Sequence, residues 1–250
     1  MIPFTFDEET HLYKVEGHYC LSTSDIIHLA GLSDYATVPS GVLERARNRG
    51  TNLHKAIHYF EEGDLDLAAL PEEIQPYLRG YMKFRVEREF EPIPPQERSI
   101  VYQHENTDQM VGCTLDLRGT VAGKLFIVDP KTTYPNCGAA KKQTWLRWRM
   151  QLQSYWEATL TDEEFWSAST DGPISKAILH LKKDASYDFI EFSADDAMNW
   201  DACIRMAQMK LANGWKQEEK VPKAVRDENK SYIDELTQMM GELDPMELVP

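Results

Sequence analysis

The stretch GCTLDLRGTVAGKLFIVDPKTT, residues 112–133, decides the fold. Leu115, Leu117, Leu125 and Ile127 alternate with their neighbours at period two, the mark of β-strands with one or both faces covered. Ala122-Gly123 turns the chain between them, so that Val121 pairs with Lys124 and paired residue numbers sum to 245. In that register Asp116 faces Asp129 across the hairpin, and Lys131 lies one step along on the same face, opposite Thr114. Directly opposed side chains stand roughly 4.5–5.5 Å apart at Cβ. Two carboxylates that close repel each other and are costly inside apolar strands. A divalent cation between them removes the repulsion, and hard oxygen ligands suit Mg²⁺ or Mn²⁺.

The elements around this hairpin give the fold class. The first twenty residues alternate around DEET and VEGH as a small hairpin, and Ser22-Thr23-Ser24-Asp25 supplies N-cap residues for a short helix ended by Gly31. Helices are predicted over 42–62, with Gly63 as the stop, and over 71–90, where PIPP at 92–95 breaks the pattern. Strands follow near 98–104, 112–120 and 124–131, then a helix over 139–160, strands near 176–183 and 187–192, and a helix over 195–214. This order predicts an α/β fold with a central mixed β-sheet flanked by helices. One domain over 1–215, with its core at 97–192 and an N-terminal helical part at 22–90, is followed by a charged tail, 216–250, of nine acids and five bases.

The helix after the hairpin carries further polar chemistry. In TWLRWRMQLQSYWEA, Gln151 and Tyr155 are i and i+4 and Trp148 lies three residues before Gln151, so the three share a face. With Arg147 nearby, this face suits phosphate and base contacts. A mid-helix glutamine among tryptophans wants a polar partner, whereas at least one of Trp145, Trp148 and Trp156 is expected in the core. On the earlier helix His54 and His58 are also i and i+4, but Lys55 stands where the HExxH zinc motif needs glutamate. Beside an Asp/Asp metal patch, His54 becomes a candidate ligand.

The net charge of −14 argues against a nucleic-acid partner until it is read locally. Residues 112–150 hold seven bases, Arg118, Lys124, Lys131, Lys141, Lys142, Arg147 and Arg149, against Asp116 and Asp129. That balance of +5 leaves −19 on the rest of the chain. A basic groove on an acidic body attracts phosphates while suppressing indiscriminate contact. No apolar run approaches membrane-spanning length and the N-terminus lacks a signal-peptide layout, so an intracellular protein is expected. Cys20, Cys113, Cys137 and Cys203 have no CxxC spacing, which argues against disulfides, a zinc knuckle or an iron–sulfur cluster.

Four segments, RGTNLH (49–54), GCTLDL (112–117), VDPKTT (128–133) and QLQSY (151–155), occur in an order that resembles the PD-(D/E)xK nuclease superfamily, in its RecB-like exonuclease branch of bacteria and phages. HLYKVEGHYCLSTSDII (11–27) also looks like the N-terminus of phage-borne members. The resemblance implies a PD-(D/E)xK nuclease-like core in which His54, Asp116 and Asp129 bind Mg²⁺ or Mn²⁺. It implies that Lys131 activates or positions the attacking water, and that Gln151 and Tyr155 support Lys131 or contact the DNA backbone. Glu97 matches an additional acid of some relatives. Arg118, Lys141, Lys142, Arg147, Trp148 and Arg149 become the DNA-binding candidates.

The implied activity is exonucleolytic hydrolysis of DNA ends in recombination, repair or replication, in the cytoplasm of a bacterial host cell. A single-strand annealing or other recombination protein is the implied partner class. The alternatives are a site- or structure-specific endonuclease of the same superfamily, an RNA-directed nuclease, and a non-catalytic DNA- or partner-binding protein. The intact Asp116, Asp129 and Lys131 speak against the last. No GxxxxGK loop for ATP is present.

Overall fold

The computed structural model describes residues 2–8, 10–33, 38–132, 138–163, 165, 173–192 and 195–214. The charged tail and Cys137 lie outside the described residues, as does the side chain of Lys141.

The architecture is α/β, with two mixed five-stranded sheets and helices packed on them. The chain opens with β1 (Thr5–Asp7), β2 (Leu12–Val15) and β3 (His18–Ser22), a three-stranded meander where sequence predicted a single hairpin. Helix α1 (Thr23–Leu29) starts at Ser22, whose hydroxyl accepts from Asp25 N while the Asp25 carboxylate accepts from Ser22 N. Helix α2 (Ser40–Glu62) ends on Gly63 at φ 78°, a left-handed cap that glycine adopts without strain. Helix α3 (Gln75–Glu87) is shorter than the predicted 71–90, because the chain leaves it for β4 (Phe90–Pro92), an edge strand on which proline is tolerated.

Strands β5 (Arg98–Gln103), β6 (Met110–Leu115), β7 (Leu117–Val121) and β8 (Lys124–Lys131) follow. Then come α4 (Gly138–Thr159), β9 (Ser175–Leu181), β10 (Tyr187–Phe192) and α5 (Ala197–Ala212). The first sheet runs β1-β2-β3-β6-β5 and the second β10-β9-β8-β7-β4. Each contains one parallel pair, β3 with β6 and β8 with β9. The predicted strand 112–120 is therefore two strands. The chain bends at Asp116 and passes from one sheet into the other, so a single central sheet is corrected to two.

Strand β8 explains why its sequence reads as nearly continuous apolar residues. Leu125 and Ile127 face a core built with α1, α4 and α5, while Phe126 and Val128 face a second core built with α2 and α3. A strand covered on both faces has no solvent side to be polar. Position alternates along the strand, so Asp129 and Lys131 fall on the α4 side and Pro130 on the α2 side. Gly112 and Gly119 are fixed by close approach, since a Cβ would drive into the Tyr13 ring at the first and the Glu91 carbonyl at the second.

Candidate active site

The hairpin register is the predicted one as far as it goes. Leu117 pairs with Val128 and Val121 with Lys124, over a turn with φ 47° at Ala122 and 79° at Gly123. Positive φ at both central residues matches the right-handed twist of the strands. The ladder stops one step short of Asp116 and Asp129. Asp116 instead occupies the bend between the sheets, and Thr114 pairs with Ser99 in the other sheet. Lys131 pairs with His180 of parallel β9, so its predicted place opposite Thr114 is corrected. The bend nonetheless leaves the Asp116 carboxylate beside Asp129, close enough for the two to influence each other's charge.

Helix α2 buries Leu53, Ala56 and Ile57, and this aims His54 at the bend. Its Nδ1 donates to Asp116 Oδ1 at 3.0 Å and its Nε2 to the Pro130 carbonyl at 3.3 Å. Both ring nitrogens thus face acceptors, as the doubly protonated imidazolium requires. Burial disfavours that charge, but Asp116 outweighs burial and raises the His54 pKa to about 9. Burial likewise pushes Asp116 up, while the His54 charge, then its hydrogen bond and Lys131, bring it down to about 2. His58, one turn on, pairs with Glu62 at 3.3 Å.

Asp129 is fully buried. Lys131 Nζ stands 2.8 Å from its Oδ1 as an ion pair, yet neither carboxylate oxygen accepts a well-aligned hydrogen bond. Burial raises the Asp129 pKa to about 7; Lys131 opposes this and the Asp116 charge adds to it. Lys131 Nζ also donates to Gln151 Oε1 at 3.2 Å, and Gln151 Nε2 donates to Tyr155 Oη at 2.7 Å. Tyr155 is held neutral, first by burial and then by the two aspartates. The polar partner that Gln151 wants is therefore Lys131.

Among the described residues, no three His, Cys, Asp or Glu side chains stand in metal-ligating geometry. The donor set nevertheless fits a hard cation. Two carboxylates lie side by side, one of them fully buried with no well-aligned hydrogen bond beyond its ion pair to Lys131, and two positive groups, His54 and Lys131, neutralise them. The recess beside Asp116, lined by His54, His58, Glu97 and Pro130, offers about 10 Å³. That is room for about one water-sized particle. Glu97 is exposed there, its backbone N–H donating to the Asp116 carbonyl at 3.2 Å. The Pro130 carbonyl is an oxygen at the site that no side-chain pattern could reveal.

The proposed DNA contacts fare unevenly. Arg118 is 1% exposed, with Nη1 2.7 Å from Asp162 Oδ2 and further donations to the Ile93 and Pro94 carbonyls, so it is corrected from a phosphate contact to a core cation. Trp148 is buried in the core beneath α4 and is corrected likewise. Arg149 makes a two-pronged contact with buried Asp196, at 2.9 and 2.6 Å, and is spent on the fold. Lys142 is exposed and Arg147 half-buried. Sequence reasoning missed Arg49, whose Nε donates to Thr132 Oγ1 at 3.4 Å, placing a guanidinium one residue beyond Lys131.

No protein-family model matches the chain, and no curated protein matches it. Among solved structures it is similar to SSO0001, with a TM-score of 0.38 and 13% identity over 83% of this chain and 82% of that one. It is also similar to a protein of Eubacterium rectale named "putative exonuclease", with a TM-score of 0.45 and 12% identity over 78% of this chain and 79% of that one. Neither likeness is close enough to speak to the chemistry of the site.

Proposed function

We propose that the chain is a Mg²⁺- or Mn²⁺-dependent deoxyribonuclease of the PD-(D/E)xK type, acting on DNA ends. The observation that carries this reading is the buried Asp129 carboxylate, short of hydrogen-bond donors, beside a second carboxylate and a lysine. Such a group is costly unless it serves a cation or a reaction. Asp116 and Asp129 would hold the metal, with His54 as a further ligand once it gives up its proton. When bound, the metal supplies Lewis-acid charge that makes water a better nucleophile and stabilises negative charge on phosphate oxygens.

The rest of the reaction belongs to this chain's own groups. Phosphodiester hydrolysis adds water to phosphorus and expels an alkoxide, so negative charge builds where two anions already meet. Lys131 would orient the attacking water and screen that charge. Gln151 fixes the ammonium through its amide oxygen, and Tyr155 accepts from the amide nitrogen, so the lysine cannot swing away freely. Exposed Lys142 is the proposed phosphate contact in place of Arg118 and Arg149, joined by Arg49 if phosphate displaces Glu73 from its 3.2 Å ion pair with that guanidinium.

The test uses linear DNA labelled at the 5′ or 3′ end beside a covalently closed circle, each with Mg²⁺ and, separately, with Mn²⁺. Progressive release of one end label with the circle intact is expected. A cut circle would replace the end-directed activity with an endonuclease, and an absence of hydrolysis with either metal would overturn the nuclease reading.

A further inference from the structure

Helix α5 has two apolar sides and only one is covered. Trp200, Cys203, Ile204 and Ala207 are buried in the core it shares with α1 and α4. On the other side Met198, Met206 and Met209 are 88, 40 and 53% exposed, and exposed Ala202 lies between them. The spacing of four, four and three residues lines these four side chains along one face. Polar residues separate this exposed apolar stripe from the core face, and a contiguous exposed apolar stripe is a contact surface.

The chain that follows carries a matching face. In SYIDELTQMMGELDP, residues 231–245, Ile233, Leu236, Met240 and Leu243 recur at intervals of three, four and three, the spacing of a seam between paired helices. In sequence, Ser231 and Asp234 have the spacing of an N-cap and N3 pair, and Pro245 is a stop signal. Residues 231–250 hold five acids and no base, whereas α5 carries Arg205 and Lys210 against Asp201. The sixteen residues 215–230 reach up to about 50 Å when extended, about twice the ~24 Å length of α5. Gly214, at φ 84°, turns the chain at the end of α5.

We infer that residues 231–243 dock as an amphipathic helix on the Met198–Ala202–Met206–Met209 face of α5. The tail of the same chain is the occupant, because it is tethered at the end of that helix, matches it in apolar spacing, and sets five acids against a helix of net charge +1. Tethering makes the encounter intramolecular, so it holds at any dilution.

Peroxide oxidation of the full chain, read by mass spectrometry at Met206 and Met209, tests the docking. The comparison is a Leu236→Asp, Met240→Asp double variant, which alters the tail alone. Both methionines are expected to oxidise about tenfold more slowly in the unaltered chain, the ratio for a contact open about a tenth of the time. Equal rates in the two proteins would overturn the docking. Protection that persists in the variant and grows with protein concentration would overturn it too, assigning the face to a second copy.

Discussion

Lys131 is shared between two residues of different chemistry, the Asp129 carboxylate at 2.8 Å and the Gln151 amide oxygen at 3.2 Å. Lys131→Ala leaves both carboxylates in place, so Mn²⁺ should still bind while cleavage slows by on the order of 10²–10⁴. Single-turnover digestion beside a calorimetric titration separates the two effects; wild-type cleavage would remove the lysine from the mechanism. His54→Ala should lose metal-dependent activity and His58→Ala should keep it, because only the first touches Asp116. The reverse pattern in the same digestion would move the ligand by one turn. Spacing within one element, taken with the family resemblance, pointed to His54, Asp116, Asp129, Lys131, Gln151 and Tyr155, and the structure brings them together around the bend. Spacing could not place Arg118, Trp148 or Arg149. A residue's charge or ring says nothing about which buried partner awaits it, and Asp162 and Asp196 come from distant parts of the chain.

At the scale of elements, the bend at Asp116 sets the site. The apolar alternation of 112–120 runs through it without interruption, so sequence reads one strand where pairing makes two. Pairing is a non-local property, and β6 and β7 take their partners from β3, β5, β4 and β8. The extent of β8 was legible because it is bounded by the Ala122-Gly123 turn and is apolar on both faces. Close to the bend, Asp162 holds Arg118 at 2.7 Å and Arg98 at 2.9 Å, tying β7, β5 and the end of α4 together. Asp162 is fully buried. Asp162→Ala takes the carboxylate from a buried guanidinium, for which a loss of about 3–5 kcal/mol is expected. Urea unfolding measures it; a loss under ~1 kcal/mol, the range of an exposed ion pair, would show that this contact does not hold the elements together.

The whole molecule carries a pH dependence that the active site does not need. Glu157 on α4 is pushed from 4.5 up to about 7, chiefly by burial, against the hydrogen bonds of Gln153 and Tyr102 and the charge of Lys176. The folded state therefore holds a proton that the unfolded chain has released between pH 4.5 and 7, so stability falls as pH rises through that window and the cost is complete above it. Glu157→Gln removes the ionisation and keeps an acceptor for Gln153 Nε2. It should match the wild type near pH 4.5 and exceed it above pH 7 by on the order of 3 kcal/mol. Thermal unfolding at both pH values decides; an unchanged slope would place the ionisation elsewhere. None of the described helices is long and apolar enough to cross a membrane.

The acidic total and the local basic count were both legible in the sequence, but the groove expected from the count loses Arg118 to the interior and Arg149 to its ion pair with buried Asp196. What remains is a small site whose proposed chemistry rests on a bound divalent cation. Calorimetric titration with Mn²⁺ of the wild type and of Asp129→Asn, each followed by digestion of end-labelled DNA, tests that most directly. The wild type should bind and cleave, and the variant should lose both together, because the amide removes a charged ligand from a site too buried to replace it. Undiminished Mn²⁺ binding by Asp129→Asn, or cleavage by the wild type in excess chelator, would contradict a metal-dependent nuclease centred on Asp129.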